Sequence, residues 1–498
     1  MQQQVLKSSL MRVRAMIKRT LAFVTGVAVI AASALLLPSF NLTVGDAPKA
    51  PKLSVEALDL QLICPGGAIN SGGANGTTVG NFGHIGAAAI SGSNGADTKV
   101  TFANLSNFNG INDLLIGQRN VAGVFSWQSA SGSKVVAQSA SQEQGSNMLN
   151  GAQLQKVASA RMNGLLATAC QAPSPEHWLV GGSAATGRET LLILANPSTV
   201  AITVSLEVFA EGGQVSAAGL SGISIAANSQ TIVPLSSLIP ETKTFAIHVV
   251  SSSGAVASWL QQRTVRGLLY AGADYVAPAT TFAKSLVIPG VLIRGSADAA
   301  TLIAANADYS DLKPVLRVFN PSDSKTTFTA QLNGATATTF GTVVHDSVLP
   351  HSVQDFEITG LANGDYSAFI SADQNITASI RLVRTDKAKK PNTDFTWLQA
   401  AETFTGSRTI TVPAAGISKL TIANPGTKTA SISVNGVAYS IAANSMVVLK
   451  ADNSKSINIV SNDVAVGANL VVDVDGQVAN IALVNYKNLG SEVRVRVR

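Results

Sequence analysis

The chain of 498 residues is too long for a single hydrophobic core, and its 46% apolar content against 13% charged residues excludes a disordered polypeptide. Five of its 35 basic residues precede the first acidic one, which leaves 30 against 29 acidic residues over the remainder, so the net charge of +6 is a feature of the N-terminus. Apart from Arg494, Arg496 and Arg498 no basic stripe is left to follow phosphates, and nucleic acid is not an expected partner.

Residues 1–20 read as a basic cytoplasmic tail carrying Lys7, Arg12, Arg14, Lys18 and Arg19. Residues 21–37 are seventeen uncharged positions in a row. At ~1.5 Å per residue, a helix of that length nearly spans the apolar core of a bilayer. With the cations on its N-terminal side, the positive-inside rule exports everything that follows. The run is read as a signal-anchor, giving a single-pass plasma-membrane protein with its N-terminus in the cytoplasm and the bulk of the chain outside. Ala32-Ser33-Ala34 has the small-x-small form that signal peptidase accepts, so the competing outcome is cleavage near Ala34 and secretion. Against cleavage, Leu35, Leu36 and Leu37 continue the apolar run past that site. Residues 38–54, with Pro48 and Pro51, read as a short stalk.

Residues 55–175 form a looser β-rich module whose middle is rich in Gly, Asn and Ser, with a helix expected over 147–168. The two cysteines of the chain, Cys64 and Cys170, both fall in it. In an oxidising space outside the membrane the pair suggests a disulfide joining the module's first strand to its end, with two free buried thiols as the alternative. The absence of a C-x-x-C spacing argues against a thiolate zinc site or a redox dithiol.

Three further modules follow, 176–285, 286–405 and 406–498, defined by one pattern met three times. Each opens with a β-rich run ending in Asn-Pro: Asn196-Pro197, Asn320-Pro321 and Asn424-Pro425. Proline lacks an N–H and restricts its predecessor, so the dipeptide closes a strand and opens a turn. A second alternating strand leads to a hairpin dipeptide, Gly212-Gly213, Asn333-Gly334 and Asn435-Gly436, suited to the positive φ of type I′ turns. Next comes Ile225-Ala-Ala-Asn228-Ser229 in the first copy and Ile441-Ala-Ala-Asn444-Ser445 in the third, with Leu349-Pro-His-Ser352 as a relative in the second. Each copy closes on a strand pair around a small turn, over 245–260, 366–382 and 457–472. Period-two alternation with a turn every eight to twelve residues describes an antiparallel sandwich of about 100 residues, whereas a propeller blade needs only about 40 to 50. The fold class expected is all-β: tandem antiparallel β-sandwiches of the immunoglobulin or fibronectin-III kind after one N-terminal transmembrane helix.

The order Cys64-Pro65-Gly66, Cys170, His177-Trp178-Leu179-Val180-Gly181-Gly182, Gly187-Arg188 and the repeated Leu-x-Leu-x-Asn-Pro strand resembles an uncharacterised actinobacterial family of membrane-anchored proteins, a domain of unknown function. The resemblance implies export and a β-rich fold, and supplies no activity or site.

Motifs that could carry chemistry fail on their neighbours. Residues 182–189 approach a phosphate loop, but Arg188 stands for its lysine, Glu189 for its hydroxyl, and a strand follows where a helix should begin, so a hairpin turn is expected. His345-Asp346-Ser347 places three triad residue types side by side, where alternate residues of a strand face apart; a solvated turn is expected, and His248 is expected to face solvent. Asp473-Val474-Asp475-Gly476 lacks the remaining ligands of a calcium loop and reads as a tight hairpin. Residues 291–313, an insertion before the second Asn-Pro, offer Arg294, Asp298, Asp308, Tyr309 and Asp311 as a candidate partner loop. The expectation is a non-catalytic envelope protein with no catalytic residues, cofactor or metal, acting as spacer or interaction module towards envelope proteins or cell-wall glycan. The alternative is a glycan-binding array or a glycan-hydrolysing enzyme with loop-borne carboxylates.

Overall fold

The computed structural model describes residues 161–484, apart from 337–340, 387–391, 414–415 and 454. It further describes the segments 52–54, 60–70, 77–78, 84–90, 100–107, 123–127, 134–138, 148–159, 486–487 and 492–494. The expected tail and anchor, and the stalk up to residue 51, lie outside these residues; among the described residues no helix is long and apolar enough to cross a membrane. The chain divides into two compact units, Met1–Val55 with Glu492–Arg498, and Glu56–Ser491. In the first, Lys52–Ser54 pairs antiparallel with Glu492–Arg494.

The second unit is nearly all β, and the Asn-Pro landmarks organise it. In each copy the strand ending in asparagine pairs antiparallel with the strand that opens on serine, so that Asn196 faces Ser229, Asn320 faces Ser352 and Asn424 faces Ser445. The residue before that serine is left-handed in all three: Asn228, His351 and Asn444, with φ of 47°, 48° and 51°. His351 therefore fills in the second copy the turn position that asparagine fills in the others. In the first copy one core lies between two sheets, formed by Leu192, Leu194 and Leu260 on one side and Val204, Leu206 and Ile247 on the other.

Other features depart from the sequence reading. Residues 148–169 are a hairpin, Met148–Ser159 with Met162–Ala169, rather than a helix. Both faces of that hairpin are largely buried, so the period-two signal was missing and helix-forming Ala, Leu, Gln and Met dominated. The closing turn exists in the first copy alone, where Gly254 supplies a φ of 83°. In the second and third copies single strands, Gly364–Asp386 and Ser456–Val474, run through the corresponding region and bridge both sheets. The first hairpin turns at Glu211 and Gly212, with Gly213 already paired to Ala210. Asn333 and Gly334 are strand residues opposite Ser367 and Tyr366, so no type I′ turn forms there. Residues 182–187 connect two different sheets and are no hairpin, and His345-Asp346-Ser347 lie within the strand Thr342–Val348.

Asn435 and Gly436 do form the two-residue turn, with φ of 48° and 85° between Val434 and Val437. No atom lies within 4 Å of a Cβ built on Gly436, so Gly436→Val is expected to cost the backbone strain alone, about 1–3 kcal/mol, read as a lowered melting temperature. Gly334→Val should lack that strain, because Gly334 is not left-handed.

The modules do not stand alone. Ala152, Leu154, Leu165 and Ala167 of the N-terminal module share one hydrophobic core with Ile410, Leu420, Ile432 and Leu470 of the last copy. Tyr486–Lys487 then pairs antiparallel with Leu149 and Met148, adding a strand from the end of the chain to the N-terminal module. Four strands, each the last full strand of its module, pack side by side in a closed cycle: β1 (Met162–Ala169), β2 (Leu269–Val276), β3 (Asn392–Gln399) and β4 (Gln477–Ala482). Asn163, Tyr270 and Asn392, near the starts of β1, β2 and β3, line one groove. Gln399, Ala482 and Pro278, at or just past the ends of β3, β4 and β2, line another small cavity, so these strands run in one direction. A Cβ on Gly164 would sit 2.5 Å from the Ala273 nitrogen, which is why β1 carries glycine where it crosses β2.

Candidate functional site

The cycle is closed by one side chain. Asp394 on β3 accepts the Leu165 N–H of β1 (2.9 Å) and the Val478 N–H of β4 (3.1 Å) on Oδ2, and the Ala273 N–H of β2 (3.2 Å) on Oδ1. Every other strand of the cycle thus donates one backbone N–H to the same carboxyl. Burial pushes Asp394 up to about 8 against the pull of these donors. Its neighbour Asp274 is also raised well above the carboxylate range, first by burial, although the Thr396 hydroxyl (2.7 Å) and the Trp397 N–H (3.0 Å) donate to it. Trp397 Nε1 donates to Gln262 at 2.7 Å, and Asn480 of β4 donates to Thr396 and to the Trp397 carbonyl, both at 2.7 Å. These polar groups weld the four modules from inside.

A second cluster joins the insertion to its surroundings. Asp311 meets Arg188 at 2.6 Å and Arg266 at 2.7 Å, and its carbonyl accepts from Arg381. Burial alone would raise the Asp311 carboxyl, but the guanidiniums of Arg381, Arg266 and Arg188 hold it below its ordinary value. Arg317, fully buried between the first two copies, is held by Asp355 at 2.7 and 2.9 Å, donates to the Gly182 carbonyl at 2.8 Å and stacks over Trp397.

Above the cycle, at its hairpin end, lies an open groove of about 460 Å³. Its lining includes Asn163, Arg266, Leu268, Tyr270, Tyr309 and Asn392, drawn from three modules. Tight turns on rigid strands place these side chains: Gly267, at φ 58°, turns the strand pair that presents Leu268 and Tyr270.

The profile of one family, described as a family of unknown function (DUF5719), matches residues 124–493. The chain belongs to DUF5719. No curated protein matches it. Among solved structures, a "Biofilm associated protein - BSP domain" is similar over 90% of this chain and 99% of its own at 10% identity, with a TM-score of 0.12 that supports no argument about fold or function.

Within this DUF5719 chain the residues singled out by sequence fall in different places. Cys64 and Cys170 are joined by a disulfide and fully buried. Of the candidate partner loop, Arg294 is tied to Asp365 at 3.2 Å and to the Gly364 carbonyl at 2.9 Å. Asp298 lies in the first turn of α1 (Ser296–Ala305), and Asp308 is exposed. Tyr309 borders the groove, and the half-buried Asp311 is tied up in the ion cluster with Arg188 and Arg266 rather than being a free contact. The insertion is thus a helix packed by Ala299, Leu302 and Leu312, with Tyr309 of the named five reaching the groove. His248 does not simply face solvent: it lies between Glu207 (2.8 Å) and Glu176 (3.1 Å), stacked 4.1 Å from Trp178. Asp475 (φ 50°) and Gly476 form a two-residue hairpin. Among the described residues no group of three or more His, Cys, Asp or Glu could hold a metal.

The asparagines of the Asn-Pro pairs do more than precede proline. Asn196, Asn320 and Asn424 are fully buried, and each Nδ2 donates to three carbonyls, for Asn320 those of Ser324 (2.8 Å), Val348 (3.2 Å) and Leu349 (3.1 Å). Each Oδ1 accepts the N–H two residues on, Ser198, Ser322 or Gly426. Asp394 was the residue that sequence reasoning missed, since its partners Leu165, Ala273 and Val478 lie far away along the chain.

Proposed function

We propose that this DUF5719 chain is a non-catalytic surface protein of the cell envelope. Its N-terminal segment holds it in the plasma membrane, and its immunoglobulin-like or fibronectin-III-like modules form a rigid docking platform outside, towards envelope proteins or cell-wall glycan and not nucleic acid. If the segment is cut near Ala34, the same platform is secreted. The observation that carries the reading is the buried Cys64–Cys170 disulfide, which closes 106 residues of the N-terminal module. Such bonds persist in oxidising spaces outside the cytoplasm, in agreement with the cationic flank and apolar run at 21–37. The four-strand cycle adds a reason for a platform, since it fixes the modules' hairpin tips relative to one another. For the hydrolytic alternative, two carboxyls must face each other across a cleft; the neighbouring pair, Asp274 and Asp394, is instead fully buried.

Protease added to intact cells or spheroplasts should remove the modules while a cytoplasmic control protein survives. Modules that stay protected along with the control would refute export.

A further inference from the structure

The groove at the hairpin end combines apolar surface, aromatic rings and amides, and the charge among its described lining residues is already spent. The Arg266 guanidinium donates to both Asp311 oxygens (2.7 and 2.8 Å), to the Thr393 hydroxyl (2.8 Å) and to the Asp308 carbonyl (3.2 Å). It therefore has little left to attract an anion. Asn163 Nδ2 donates to Asn392 Oδ1 at 3.3 Å, Asn163 Oδ1 accepts from Gln477 at 3.0 Å, and Asn392 Nδ2 donates to the Asp475 carbonyl at 3.4 Å. A primary amide has two N–H groups and two lone pairs. Among the described residues each of these amides uses one of each, which leaves one donor and one acceptor on each. A ligand that matches such a pair must itself donate and accept, which a hydroxyl does, while a carboxylate or phosphate only accepts and an ammonium only donates.

Aromatic and aliphatic surface completes the site. The guanidinium of Arg263 lies 5.7 Å from the Tyr270 ring centre and that of Arg266 lies 5.4 Å from the Tyr309 ring centre. Both rings line the groove, Tyr309 while also packing on the insertion's Ala299, Leu302 and Leu312. Leu268, 95% exposed at the turn tip, forms an apolar rim beside them.

We infer that this groove binds a neutral glycan chain, with pyranose C–H faces against Tyr270, Tyr309 and Leu268 and ring hydroxyls on Asn163 and Asn392. The inference rests on the envelope-platform reading and gives that platform a ligand class. Full-length protein in a zwitterionic detergent, chosen because it has no sugar headgroup, is titrated calorimetrically with chitotetraose and cellotetraose. Tetragalacturonate serves as an anionic chain of equal length. Saturable binding of at least one neutral tetrasaccharide is expected, about ten-fold tighter than the anionic one, with Tyr270→Ala and Tyr309→Ala each weakening it by about ten-fold. If Tyr270→Ala lowers the melting temperature, Tyr309→Ala on the insertion and Leu268→Ala at the turn tip decide. Failure of both neutral chains to bind overturns the inference, as does tighter binding of tetragalacturonate. So does a folded Tyr309→Ala and Leu268→Ala pair that bind as the wild type does. Protease accessibility on cells reads location alone, so a surface-exposed protein that ignores both neutral chains sinks the glycan site and leaves the surface role standing.

Discussion

Asp394→Ala is expected to lower the unfolding free energy by about 4–5 kcal/mol, because it strands buried N–H groups on three strands at once. Those groups belong to Leu165, Ala273 and Val478, all three fully buried. Asp394→Asn is the sharper probe. In either orientation its NH₂ faces at least one backbone N–H, so a loss of about 2–3 kcal/mol is expected from a near-isosteric change. The size of that loss should depend on pH. Folding moves the carboxyl from about 3.9 in the unfolded chain to about 8. The folded chain then holds a proton that the unfolded chain has released, and the associated stability is full below about pH 4 and lost as pH rises through about 8. Asparagine does not titrate, so the wild type's advantage should be larger at pH 5 than at pH 8 in urea denaturation. An advantage that grows with pH would show that the folded carboxyl is ionised, with the N–H donors outweighing burial.

The second large effect is expected at the buried asparagines. Asn320→Ala removes the donor that serves three carbonyls and the acceptor of the Ser322 N–H, and should cost about 3 kcal/mol. Asn424→Ala should cost about as much, since its amide reaches the carbonyls of Lys428 (2.8 Å), Ile441 (2.9 Å) and Ala442 (3.1 Å) in the same way. Because the last copy shares its core with the N-terminal module, each substitution should lower one common transition. A separate early transition confined to the altered copy, seen by calorimetry, would refute the welded arrangement and restore independent modules.

What sequence could reveal was the local chemistry of the repeats. Proline after asparagine constrains the backbone within a few residues in all three copies, and so does asparagine before serine in the first and third, where His351 takes that place in the second; these landmarks fall in equivalent turns and ladder positions. The Asn435-Gly436 turn was legible for the same reason. Asn333-Gly334 misled because a dipeptide that tolerates positive φ does not require it, and the neighbouring strand pairing decided otherwise. The hub could not be seen: Leu165, Ala273, Asp394 and Val478 are separated by about 80 residues or more at each step, and no local period connects an aspartate on one strand to amides on three others. The groove was half-visible. Tyr309 stood out in an insertion, but Asn163, Tyr270 and Asn392 become neighbours once the cycle closes.

The pairing of Tyr486 with Leu149, together with the bond from Asn150 Nδ2 to the Val484 carbonyl across 334 residues, has a consequence for how the protein is made. Synthesis runs from the N-terminus, so the first module emerges long before the strand that completes its sheet and the apolar face that covers it. Throughout that interval its edge and its buried surface are open to wrong partners, and contacts this distant in sequence form slowly. The first module therefore stays unfinished until the residues around Tyr486 have been made, and on the export proposed above that wait would extend through translocation.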